Sequence, residues 1–158
     1  MKYRILKDEE LASLEEQLKQ FLIVNGIYDD EWKRINKEEP DKALDIIEIF
    51  SDYVLQIVYE NTIYLEKRTP DTVFFFEYGE TKANLIAFQK HDKTNAAFDL
   101  SEASGVVDAL KNHASELHFF QQEKPYTKTR ELEIHDMFMN GCSKGTKEFW
   151  DLLKKVVE

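Results

Sequence analysis

The sequence predicts an α+β fold, with N- and C-terminal helices packed on a small antiparallel sheet. Three observations carry this. Apolar residues recur at three- and four-residue steps over residues 8–67 and again over 127–157. Between them lie β-branched and aromatic runs, TVFFFEY at 72–78, ANLIAFQK at 83–90 and ELHFFQQ at 116–122. Turn residues fall where the period changes. The sheet is therefore expected as a hairpin over 72–90 plus a strand near 116–122. At 158 residues the chain is read as one domain, helical over 8–67, sheet-containing over 72–123 and helical over 127–157.

Tyr3 to Leu6 makes a short apolar opening. Asp8 is placed to cap a helix with Glu9 and Glu10 in its first turn, where acidic groups suit the helix dipole. Leu11, Leu14, Leu18, Phe21 and Leu22 continue it, and Asn25-Gly26 ends it. Asp29 or Asp30 caps a second helix through Trp32 and Ile35, which Pro40 stops.

A long helix is then predicted from Asp41 to about Lys67, ahead of Thr69-Pro70. At 100° per residue its polar side chains Asp41, Asp45, Glu48, Asp52, Gln56 and Glu60 share one stripe. The rest is nearly all apolar, which predicts a central helix whose stripe is its one side open to water or a partner.

Gly79 to Lys82 turns the hairpin, and His91 to Asn95 is a loop. Ser101 caps a short helix through Val106, Val107 and Leu110 to about His113. Lys124-Pro125 breaks the third strand. Thr127 or Thr129 opens a helix closed by Asn140-Gly141, and Ser143 or Thr146 opens the last, with Phe149, Trp150, Leu153 and Val156 on one side.

Composition narrows the function classes. The formal charge is −10, from 31 acidic and 21 basic residues, which argues against nucleic acid or an anionic membrane surface as a partner. One cysteine, Cys142, rules out an intramolecular disulfide and a four-cysteine zinc site. The start lacks a signal-peptide pattern, and no window reaches the ~20 apolar residues of a membrane span. The expected compartment is the cytoplasm.

The opening MKYRIL, the Trp32 to Pro40 segment, IFSDYV (49–54), YLEK (64–67) and SKG to FW (143–150) resemble an uncharacterised bacterial domain-of-unknown-function family. Its members are short single-domain proteins of about this length, so the resemblance covers the whole chain and implies no activity. Some similar sequences carry a histidyl-tRNA synthetase label. No stretch here resembles the ATP- or histidine-binding motifs of that class, and the label is not carried over.

Asp45, Glu48 and Asp52 are the candidate partner-binding residues, being three carboxylates within two turns of one helix face. Read as a cation or paired-carboxylate site, they lack the Glu-x-x-His steps of a di-metal bundle. His135-Asp136 with His113 and Asp151 matches on paper the metal-dependent phosphohydrolases that use a His-Asp dipeptide. That family is all-helical, and the aromatic strands in the middle contradict it. Cys142 precedes a helix start, but no catalytic frame surrounds it. Ser143-Lys144-Gly145-Thr146 reverses the order of a phosphate loop and reads as a helix start. Phe74, Phe75, Phe76 and Tyr78 have acidic neighbours, unlike a base-stacking platform, and read as core. No cofactor or metal site is expected. The favoured reading is a non-catalytic protein that binds another protein or itself. The alternative is a small metal-binding protein or hydrolase using the acidic stripe with a histidine.

Overall fold

The computed structural model describes residues 1–158, and the α+β class follows the change of period along the chain. Two units cluster separately, Met1–Glu60 and Asn61–Glu158.

The first unit is helical. It contains α1 (Asp8–Ser13), α2 (Glu15–Val24), α3 (Asp29–Glu38) and α4 (Pro40–Glu60). Lys7, not Asp8, is the N-cap of α1, and its amide donates to Glu10 Oε1 at 3.0 Å. The predicted first helix is broken at Leu14, where ψ departs from helical values. Tyr28 caps α3, so Asp29 and Asp30 lie inside its first turn. Pro40, which stops α3, also opens α4, since a first helical residue needs no N–H partner. Phe21 of α2 packs on Phe50 and Tyr53 of α4, with ring centroids 5.3 and 5.8 Å apart.

The long helix does not reach Lys67. It ends at Glu60, and Tyr64–Arg68 is a strand, β1. Ile63 and Tyr64 favour extended backbone, and β1 gains ladders on both sides, from β2 and β5. Nor is the acidic stripe the one open side of α4. Leu44, Ile49, Tyr53, Ile57 and Val58 are exposed as well.

The second unit is built on one antiparallel sheet in the order β4-β3-β2-β1-β5. The strands are β1, β2 (Thr72–Tyr78), β3 (Lys82–Lys90), β4 (Leu117–Pro125) and β5 (Ser143–Lys144). The hairpin falls where the sequence places it. β4 runs past the predicted break to Pro125, and Ser143-Lys144 pairs with β1 instead of starting a helix. α5 (Ala103–Asn112), α6 (Arg130–Met139) and α7 (Lys147–Val157) complete the unit. Glu102, not Ser101, caps α5. Thr129 and Thr146 are the caps of α6 and α7, and the Thr146 hydroxyl accepts from the Phe149 amide. α6 ends on Gly141 at φ +95°, which lets the Cys142 amide reach the Met137 carbonyl at 3.0 Å.

Alternation along the strands sends Val73, Phe75, Ile86 and Phe88 to one side. There they form the core with α5 and α7, through Val106, Ala109, Trp150 and Leu153. Phe75 meets Trp150 at 6.1 Å and stacks on Phe149 at 6.3 Å. On the other side Tyr78 stacks on Tyr126, nearly parallel, at 6.0 Å. Of the four aromatics of β2 read as core, Phe75 and Tyr78 are buried, while Phe74 and Phe76 are half-buried.

Candidate interaction surface

The three predicted carboxylates sit in different settings on α4. Asp45 is exposed, Glu48 is half-buried, and Asp52 is engaged within its own unit. The backbone amides of Lys2 and Tyr3 donate to its two oxygens at 2.6 and 2.9 Å. One turn on, Gln56 Oε1 accepts from the Tyr3 hydroxyl and from Lys2 Nζ. The polar stripe of α4 thus holds down the N-terminal segment, a role that spacing alone does not reveal. Ser51, buried on the same helix, accepts from the Leu6 amide at 3.0 Å and donates to the Ile47 carbonyl at 2.7 Å. Arg4 forks onto Glu10 at 2.8 and 3.0 Å, and this, with the Lys7 amide, lowers the Glu10 carboxyl to about 2.

A different surface opens beside the stripe. Between α2 and α4 lies an open groove of about 610 Å³, walled by Phe21, Val24, Phe50, Tyr53, Val54 and Ile57. Val24 is 84% exposed and Tyr53 55%, so this apolar surface faces water. Its rim is polar and neutral at Gln17, Gln20 and Asn25, and Glu16 is its charged lining residue. Ile49, 60% exposed, extends the apolar line along α4 one turn from Asp45, and Glu60 lies two turns beyond Tyr53. The sequence held a signal for it: Ile49, Tyr53 and Ile57 recur every four residues outside the acidic stripe.

The remaining candidates resolve locally. His113 ends α5, stacks on Phe98 at 4.7 Å and lies between Glu116 (2.6 Å) and Asp108 (3.5 Å). This keeps it at the C-terminal end of its helix, where a histidine suits the dipole. His91 and His118 meet edge-on at 6.0 Å, and His135 is half-buried on α6. No group of three or more His, Cys, Asp or Glu side chains is placed to hold a metal ion. Cys142 is buried, and burial pushes its thiol up, away from the reactive thiolate. Ser143 to Thr146 forms β5 and the cap of α7.

One polar cluster escaped the sequence reading. The Arg130 guanidinium donates to the carbonyls of Thr62, Tyr78 and Gly79. The Tyr126 hydroxyl donates to Gly79 and Lys82 carbonyls at 2.7 and 3.0 Å. Together they tie α6 to the end of the β2–β3 hairpin. Arg130 Nε and Nη2 and the Tyr126 hydroxyl meet backbone acceptors, and Arg130 Nη1 lies 3.9 Å from Glu131 Oε1, so the cluster acts as a brace.

A helical unit with an open apolar groove, and an antiparallel sheet with a braced hairpin, define an α+β protein. The chain belongs to the family described as Family of unknown function (DUF6495), whose model matches residues 1–158. No curated protein and no solved structure matches it. No helix is long and apolar enough to cross a membrane.

Proposed function

We propose that this chain is a non-catalytic, cytoplasmic protein-binding module, and that the α2–α4 groove receives an amphipathic helix of another protein. The observation that carries the reading is the exposed apolar groove between two helices, the shape in which a third helix lays its apolar face. Charge favours basic flanks on that helix. Residues 1–60 hold fifteen acidic and eight basic side chains, and Glu16 lines the groove. A second copy would bring the same negative charge to the same place. Asp45 and Glu48, on the neighbouring stripe of α4, would extend this acidic side towards the basic flanks, whereas Asp52 is taken by the N-terminal segment.

The test uses two synthetic helical peptides with the same leucine face, one with lysine flanks and one with glutamate flanks. Chemical-shift mapping on the full chain should place the lysine peptide at Phe21, Val24 and Tyr53. The glutamate peptide should bind at least about tenfold more weakly, as expected when like charges meet at the rim. Val24→Asp with Tyr53→Asp adds negative charge yet should abolish binding while circular dichroism stays unchanged. Binding that survives this change would mean a merely electrostatic contact and would overturn the reading. So would equal binding of both peptides, or a groove variant that converts a dimer to a monomer.

A further inference from the structure

We infer that the chain forms a twofold dimer by pairing β4 with β4 of a second copy, a surface separate from the groove. β4 is the terminal strand of the sheet, with β3 on one side and no strand on the other. Which backbone groups face outward follows from the register. The His91 amide donates to the Glu116 carbonyl, and Gln89, Ala87 and Leu85 pair with His118, Phe120 and Gln122. Backbone direction alternates along an antiparallel strand. Phe119, Gln121 and Glu123 therefore turn their N–H and C=O groups to the open edge.

Edge strands ordinarily protect themselves with central charges, proline or brevity. β4 has nine residues, and its middle, His118 to Gln122, has no Lys, Asp, Glu or Pro. Phe120 stands 38% exposed there, edge-on to Phe74 at 6.5 Å. Pro125 comes at the far end, at a position whose missing N–H would have pointed outward, so it costs the β3–β4 ladder nothing.

The edge complements itself in one register. With Phe120 opposite Phe120 of the second copy, the outward groups of Phe119 meet those of Gln121, and Glu123 meets Leu117. His118 then faces Gln122 of the other chain, twice across the axis. An aromatic pair at the twofold, flanked by polar pairs with no like charges opposed, is a side-chain match that stabilises antiparallel neighbours. The next register, centred on Gln121, sets His118 against Lys124 and places Pro125 where a donor is required. Charge also permits pairing here. Residues 61–158 carry sixteen acidic and thirteen basic side chains, far nearer balance than the first unit.

The experiment is sedimentation of the full chain across the micromolar range, with variants whose fold is checked by circular dichroism. The wild type should be a dimer. Phe120→Lys puts like charges face to face at the axis, and Gln121→Pro removes an outward donor without touching the β3 ladder. Each should weaken dimerisation by at least about tenfold, the size expected when one edge hydrogen-bond pair or a cross-strand match is lost. Phe120→Cys in a Cys142→Ala background should cross-link under mild oxidation, because directly opposite residues that exchange no hydrogen bonds come close enough for a disulfide. Lys128→Cys in the same background should not. A monomeric wild type overturns the proposal. So does a dimer that folded Phe120→Lys leaves unchanged, or one that Phe120→Cys fails to cross-link. The groove variants Val24→Asp and Tyr53→Asp should leave the dimer intact, so the two readings fail separately.

Discussion

Two side chains show how far single residues go beyond their type. Arg130 lies at the start of α6 and joins the Tyr78 and Gly79 carbonyls at the hairpin end to the Thr62 carbonyl just before β1. Its side chain is only 16% exposed, so removing it strands acceptors away from water. Arg130→Met should lower unfolding stability by about 2–4 kcal/mol, the cost of several orphaned polar groups. Arg130→Lys should recover little, because an ammonium cannot reproduce the planar fork; chemical denaturation measures both. Nothing in the sequence marks this arginine, since its partners are carbonyls, which every residue has. Glu10 carries a pH signature instead. Its carboxyl is lowered to about 2 in the folded chain by Arg4, so its contribution is present above the ordinary carboxylate range and fades as pH falls towards about 2. The pair is partly exposed, which screens it to under about 1 kcal/mol. Glu10→Gln should therefore be less stable than wild type at neutral pH, with the gap closing as the buffer is acidified towards that value. A gap that is constant with pH would mean that the carboxylate is not the cause.

At the scale of elements, the sequence was most legible where one force acted alone. β2 and β3 were readable because a β-branched and aromatic run lies between turn residues. The caps Thr129 and Thr146, and the glycine ends of α2 and α6, were readable because capping is local chemistry. The caps at Asp8, Asp29 or Asp30 and Ser101 were misplaced by one or two residues, and the larger misreadings fall where tertiary pairing overrode local pattern. Asn61 to Lys67 continues an apolar pattern that suits a helix, yet β2 and β5 draw Tyr64–Arg68 into the sheet. Asp52 was legible as part of a stripe but not as an acceptor for amides 49 and 50 residues away. Close approach is likewise invisible in a sequence. Gly105, near the start of α5, lies so near the Asp99 backbone that an added Cβ would stand 1.7 Å from its carbonyl oxygen. Gly105→Ala must displace either the helix or the loop before it. It should cost about 1–3 kcal/mol, seen as a lower denaturation midpoint at unchanged slope. A neutral or stabilising result would show that the Asp99 loop yields freely.

For the whole molecule, the distribution of charge and exposed backbone matters more than any residue. The first unit combines a strong negative excess with an apolar groove, which suits a basic foreign helix. The second combines near-balanced charge with an unprotected strand edge, which suits its own copy. Amide hydrogen exchange reads the edge directly, because the two sides of β4 differ by alternate residues. The amides of His118, Phe120, Gln122 and Lys124 point to β3 and should exchange slowly at any concentration. Those of Phe119, Gln121 and Glu123 should exchange fast in dilute solution, where the edge meets water. As concentration rises and the edges pair, their protection should rise together until the alternation disappears. Phe120→Lys should restore the alternating pattern at concentrations where the wild type has lost it. Alternation that persists in concentrated wild-type protein would mean that the edge stays open, with β4 kept from pairing by some feature other than charge or proline.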